Sequence, residues 1–153
     1  MNAVFDSDIT AEIIPDGKHV HPSMLRLLIK IKGVEKTIAV TDSAAPTGLE
    51  DGEYKLGENN IVLDNGNLWL RDDRTTRAGS VLTMIDALSN IINMCDLSIV
   101  DASRLVSENP AKLLGFSNTK GVLLAGYDAD FIILDNKFDV CKTFVMGKEV
   151  YSK

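Results

Sequence analysis

The sequence predicts an α/β fold in which a parallel βαβ unit comes first and antiparallel strands follow. Three observations carry this. A strand, a helix and a second strand fit between Ile9 and Ser43, the arrangement of a βαβ unit. From Asp51 to Thr76, short apolar alternations are separated by turn signals. Helical periodicity then returns ahead of a strand-rich tail.

The first strand is expected from about Ile9 to Ile14, where apolar and polar residues alternate until Pro15-Asp16-Gly17 stops them. "PSMLRLLIKIKG" opens on Pro22, repeats apolar residues at helical spacing and closes on Gly33. "KTIAVTDS" is a short apolar run ending in polar residues, as a buried parallel strand does. In "DGEYKLGENNIVLDNGNLWLRDDRTT", breaks at Gly57-Glu58-Asn59-Asn60 and Asn65-Gly66 predict two or three antiparallel strands, with Tyr54 and Trp69 packing them onto a neighbour. A helix follows over "SVLTMIDALSNIINM", with Val81, Leu82, Ile85, Leu88 and Ile92 as its stripe. Ser98 and Asp101 cap the next helix. Asn109-Pro110 is expected to cap a separate short helix that ends at Gly115. The tail, with "DFIILD" and a turn at Gly147, reads as three strands that cannot bury both faces without a partner sheet.

At 153 residues the chain can bury a core without disulfides, and 45% hydrophobic with 25% charged residues fits a folded, water-soluble domain. A net charge of −6, with lysines and arginines dispersed, argues against nucleic acid and an anionic membrane as partners. No apolar run approaches the roughly 20 residues that span a bilayer. Met1 to Thr10 has neither a basic start nor an apolar signal core. Cys95 and Cys141 lack metal-type spacing, read as small hydrophobes and suit a reducing cytoplasm.

Two features hold candidate chemistry. His19 and His21, the only histidines, form an H-x-H that on a strand end would face one way and could clamp a metal. A zinc site usually needs three protein ligands, and here only a carboxylate could supply the third. Asp42 directly follows "TIAV", at the strand end where parallel α/β proteins project catalytic side chains. The competing reading is that Asp42 caps the segment after it.

"TAEIIPDGKHVHPSMLRL", "VTDSAAPTGLEDGEYKLG", "RAGSVLTMIDAL", "NPAKLLGF" and "GVLLAGYDADFIILD" stand in an order and at spacings that resemble the C-terminal part of the N-acetylglucosamine-6-phosphate deacetylases, a branch of the amidohydrolase superfamily. The resemblance runs from about Ile9 to Tyr151. It implies the C-terminal part of a (β/α)8 barrel over residues 1–118, with an inserted hairpin at about 52–76, and C-terminal strands of a small β-sandwich over 119–153. In that family a glutamate and two histidines on earlier strands hold a divalent metal, zinc or iron. Those segments have no counterpart here, so the resemblance implies no metal ligand in this chain beyond a contact from Asp42, and no metal bound by it alone.

Residue by residue, Asp42 matches the aspartate that activates the metal-bound water and then protonates the leaving amine. His19 matches the histidine that contacts the phosphosugar, with Asp16, Gly17 and Lys18 in the same substrate turn. Arg77, Ala78 and Gly79 match the stretch whose backbone lies against the sugar, although an arginine at 77 replaces an expected apolar residue. His21 is in the signature without a catalytic role, and is expected to pack or hydrogen-bond. The implied partner is N-acetylglucosamine 6-phosphate, in a homodimeric, cytoplasmic enzyme of amino-sugar metabolism. The alternative is a non-catalytic binding or structural module that keeps the fold, self-associating to cover its open edges. A dihydroorotase-like enzyme does not account for "VTDSAAPTGLEDGEY".

Overall fold

The computed structural model describes residues 5–6 and 8–153. The readings that involve residues 1–4 and Ser7 lie outside the described residues. Strands β1 (Ala11–Ile13) and β2 (Thr37–Ala39) pair in parallel, Ala11 opposite Thr37 and Ile13 opposite Ala39. β1 is shorter than expected because, among the described residues, its pairing runs only along the three residues of β2. Between them lies helix α1 (Pro22–Lys32), with Pro22 in its first turn and Gly33, at φ 79°, closing it. Leu25 and Ile29, one turn apart, bury against the strand pair. The βαβ expectation holds.

The excursion after β2 is a three-stranded meander: β3 (Gly52–Leu56), β4 (Asn59–Asp64) and β5 (Asn67–Leu70). Asn65 and Gly66 both take positive φ, 48° and 69°, as a two-residue hairpin turn demands. The first turn is tighter than expected, since Asn59 and Asn60 already pair with Leu56 and Lys55. Ile61, Leu63 and Leu68 give the meander its own core, to which Tyr54, Ala44, Ala78 and Val81 add. Asp73 closes the far loop by accepting from the hydroxyls of Thr75 (2.5 Å) and Thr76 (2.6 Å), which hold its carboxyl down at about 2.

Helix α2 (Met84–Cys95) starts later than its apolar stripe suggested. Thr83 Oγ1 accepts the Asp86 N–H (3.2 Å), so Val81 and Leu82 precede the helix. The buried stripe is Ala87, Leu88, Ile91 and Cys95, with Ile85 and Ile92 at its margin. α3 (Ile99–Ser103) begins at the expected Ser98 cap, whose hydroxyl accepts the Asp101 N–H (3.1 Å). Asn109 does not cap a new helix. It is helical itself, and the chain runs from α3 through a π-helical turn (Arg104–Glu108) into α4 (Asn109–Leu113). Pro110 explains the widening, because its ring crowds the carbonyl four residues back and it donates no hydrogen bond. The Asn109 side chain instead donates to Val34 O (2.7 Å) and Thr37 O (2.9 Å), pinning the helix to the start of β2.

One core unites β1, β2 and the helices: Ile13, Leu25, Ile29, Ala39, Leu88, Ile91, Cys95, Ala102 and Leu105. The tail forms the three expected strands, β6 (Phe131–Leu134), β7 (Val140–Val145) and β8 (Lys148–Ser152). None of their residues is buried, because no second sheet covers them among the described residues. No helix of the described residues is long and apolar enough to cross a membrane.

Candidate active site

The residues after β1 and after β2 leave the parallel pair at the same end. Residues 16–20 form a bend rather than a strand, so His19 and His21 do not share a face. His19 turns back to Asp16, Nδ1 lying 2.7 Å from Oδ2, while Asp16 Oδ1 accepts the N–H groups of Lys18 and His19 at 2.9 Å each. Burial raises the Asp16 carboxyl, but the His19 and Lys18 amides and the His19 ring outweigh it and hold it below the ordinary carboxylate value. Asp16 therefore serves first to orient His19, fixing which ring nitrogen remains for another partner. His21 caps α1: its Nδ1 accepts the Ser23 N–H (3.2 Å) and lies 2.7 Å from the Ser23 hydroxyl. That is the hydrogen-bonding role expected of it. Among the described residues no group of three His, Cys, Asp or Glu side chains is placed to hold a metal ion.

Asp42 stands just beyond β2 in the left-handed region, φ 50°, an unusual conformation for a residue with a side chain. Its carbonyl accepts the Ser80 N–H (2.9 Å), and Ser80 Oγ donates to Thr41 O. Ser43 and Ser80 form a parallel bridge, so the 80 segment continues the sheet beside β2. The Asp42 carboxylate is exposed and caps nothing among the described residues; Thr41 Oγ1 takes the Ser43 N–H instead. A Cβ at Gly79 would lie 3.2 Å from Asp42 O and 3.7 Å from Asp42 Oδ2, so glycine there lets the two segments approach.

Gly79 also lines a cleft of about 230 Å³ whose wall includes Asp16, Lys18, Gly66, Arg77, Ser80 and Asn90, while Asp42 and His19 are not part of that wall. Four of the expected substrate residues, Asp16, Lys18, Arg77 and Gly79, meet here. Gly17 supports the turn from behind, its would-be Cβ 2.8 Å from Met94 Cε. Ala78 packs with the meander core. Both cations are held from the meander: Lys18 Nζ donates to Gly66 O, and Arg77 donates to Asn67 Oδ1 (3.3 Å) while stacking 4.6 Å from the Trp69 ring. Arg77 is thus accommodated by the aromatic face that sequence reading assigned to packing. Ser80, Asn67 and Asn90 were not singled out in the sequence. Ser80 reaches Asp42 through an isolated bridge, which leaves no periodic trace.

The "Amidohydrolase family" model matches residues 4–150. The chain belongs to the amidohydrolase family. Within it, the chain is 34% identical over 145 residues to the N-acetylglucosamine-6-phosphate deacetylase of Bacillus subtilis (strain 168), covering 95% of this chain and 36% of that relative. Among solved structures, the deacetylase of that name from Thermotoga maritima matches at TM-score 0.91 and 30% identity, over 99% of this chain and 41% of that one. An aspartate-to-alanine mutant of the Mycobacterium smegmatis deacetylase, in complex with N-acetyl-D-glucosamine-6-phosphate, matches at TM-score 0.92 and 32% identity, over 98% and 40%. The chain therefore spans between a third and one half of the length of these relatives.

Proposed function

We propose that this chain supplies the proton-transferring carboxylate and part of the phosphosugar site of an enzyme that hydrolyses N-acetylglucosamine 6-phosphate to glucosamine 6-phosphate and acetate. The observation that carries the reading is the exposed Asp42 carboxylate just past a parallel strand, close to Gly79, which itself lines a cleft with Lys18 and Arg77. A carboxylate so placed takes a proton from the attacking water and returns it to the departing amine. Lys18, Arg77 and His19 suit the phosphate and hydroxyl groups of the sugar, while the backbone at Ala78 and Gly79 leaves room for it.

In this reading β1 and β2 are the last strands of a (β/α)8 barrel, residues 1–118 are the barrel part, and 119–153 belong to a small sandwich domain. The exposed strands β6–β8, which no second sheet covers among the described residues, support that division. The zinc or iron implied by the resemblance does not fit the described side chains, which gather no set of three donors, so no step here runs through it. We infer that other residues hold the metal and that this chain is inactive alone. Two unpaired thiols support a cytoplasmic setting. Exposed Ile132, Ile133 and Val150 favour association between copies.

A deacetylation assay of the isolated chain with added zinc, iron or cobalt tests the reading. No turnover is expected, and a rate near that of a full-length deacetylase would overturn the assignment of the metal to other residues. The alternative, a non-catalytic binding or structural module, is favoured by the exposed apolar residues Ile132, Ile133 and Val150 of the uncovered tail strands. A clean monomer in size-exclusion chromatography would count against edge-driven assembly of such a module.

A further inference from the structure

Two cations in the cleft beside Gly79 lack a carboxylate partner among the described residues. Lys18 enters its wall from the turn after β1 and Arg77 from the segment after β5, and neither forms an ion pair, although acidic residues outnumber basic ones 22 to 16. The two carboxylates in the same wall are engaged elsewhere. Asp16 accepts the Lys18 and His19 amides on one oxygen and faces the His19 ring with the other. Asp86 accepts the Thr83 hydroxyl (2.6 Å) in the first turn of α2, where a helix terminus favours negative charge.

What holds the cations is one hairpin turn. Lys18 Nζ donates to Gly66 O and Arg77 to Asn67 Oδ1 (3.3 Å), so consecutive residues at the β4–β5 turn fix both. Trp69, two residues along β5 from Asn67, carries the Arg77 guanidinium 4.6 Å from its ring centroid. The guanidinium gives Asn67 one of its five N–H groups and Lys18 gives Gly66 one of its three, which leaves donors on both for a ligand. The family resemblance expects an apolar residue at 77, so it lends this arginine no role.

We propose that Lys18 and Arg77 form a subsite for a phosphoryl group, with Arg77 as the residue that selects it and Trp69 and Asn67 as the residues that position Arg77. A planar guanidinium offers parallel N–H groups to two phosphoryl oxygens, and a lysine adds a point charge. Stacking on the indole fixes the guanidinium plane and leaves its charge available. The inference deepens the phosphosugar reading and rests on it: it assigns the phosphate, rather than the sugar hydroxyls, to this cleft.

The test titrates the full chain with inorganic phosphate, glucosamine 6-phosphate, N-acetylglucosamine 6-phosphate and unphosphorylated N-acetylglucosamine, by calorimetry and by the emission of Trp69, the only tryptophan. The three phosphoryl compounds are expected to saturate and to shift the emission, and the unphosphorylated sugar to do neither. Arg77→Leu, Arg77→Lys and Lys18→Ala should each weaken phosphate binding on the order of 10- to 100-fold by calorimetry, with an unchanged circular dichroism spectrum. Lys55→Ala, which removes a charge from an exposed position on β3, should not. Trp69→Phe, which keeps an aromatic face, should retain affinity within about 3-fold, and Trp69→Leu should lose about 10-fold. No saturation by any phosphoryl compound, equal binding of the unphosphorylated sugar, or phosphate affinity unchanged in Arg77→Leu would each overturn the proposal. Saturation by phosphate and glucosamine 6-phosphate but not by N-acetylglucosamine 6-phosphate would support the subsite and count against the deacetylase reading alone.

Discussion

Removing the Asp16 carboxylate should unlock the turn that aims His19. In Asp16→Ala, two N–H groups lose acceptors that lay at 2.9 Å and the His19 ring loses a partner at 2.7 Å. Hydrogen bonds to a charged acceptor contribute about 1.5–3 kcal/mol each, but the exposed Lys18 amide rehydrates, so the expected loss is about 2–3 kcal/mol. With a urea slope of about 2 kcal/mol/M, the midpoint should fall by about 1–1.5 M at pH 7, followed by circular dichroism. Because the folded Asp16 carboxyl lies below its ordinary value, its contribution is fully present above the unfolded value of about 3.9 and is lost as pH falls through the lower folded value. The gap between wild type and variant should therefore shrink at pH 3. A midpoint shift under about 0.3 M at pH 7, or a gap equal at both pH values, would refute the role given to Asp16.

Other outcomes follow from the same geometry. Gly17→Ala combines a left-handed backbone with a contact on Met94, whereas Gly48→Ala at φ 81° meets nothing within 4 Å. Each should cost about 1–2 kcal/mol in urea melts, Gly17 the more. Arg77→Ala should alter the emission of Trp69, the only tryptophan, and cost about 0.5–2 kcal/mol; an unchanged spectrum would contradict the stacking. Asn109→Ala breaks two bonds to the approach of β2 and should lower stability by about 1–3 kcal/mol in the same melts. Burial pushes the Cys95 thiol up against the opposing charge of Arg26, so iodoacetamide at pH 8 should modify half-buried Cys141 well before Cys95 in mass spectra.

What the sequence reveals and what it hides divide along physical lines. The βαβ unit, the meander and the tail strands are legible because alternation, helical spacing and turn glycines act locally. Asn109 misleads because Asn-Pro commonly opens a helix; only the carbonyls of Val34 and Thr37, far away in sequence, disclose its work. The H-x-H pair misleads in the same way, since its shared face requires a strand and the chain bends there. That Asp42 lies just past a buried strand is legible from the apolar run before it. Its left-handed backbone and its hold by Ser80 depend on contact between segments that no pattern within either one records.

The most direct test of the account is deacetylation of N-acetylglucosamine 6-phosphate by this chain co-expressed with the portion of the Thermotoga maritima deacetylase that it does not match, with a divalent metal added, comparing wild type with Asp42→Asn. Measurable acetate release by the wild-type mixture is expected, with Asp42→Asn lowering kcat on the order of 100- to 10,000-fold. Acetate release by the Asp42→Asn mixture at the wild-type rate would contradict the assignment of Asp42 as the proton-transferring carboxylate.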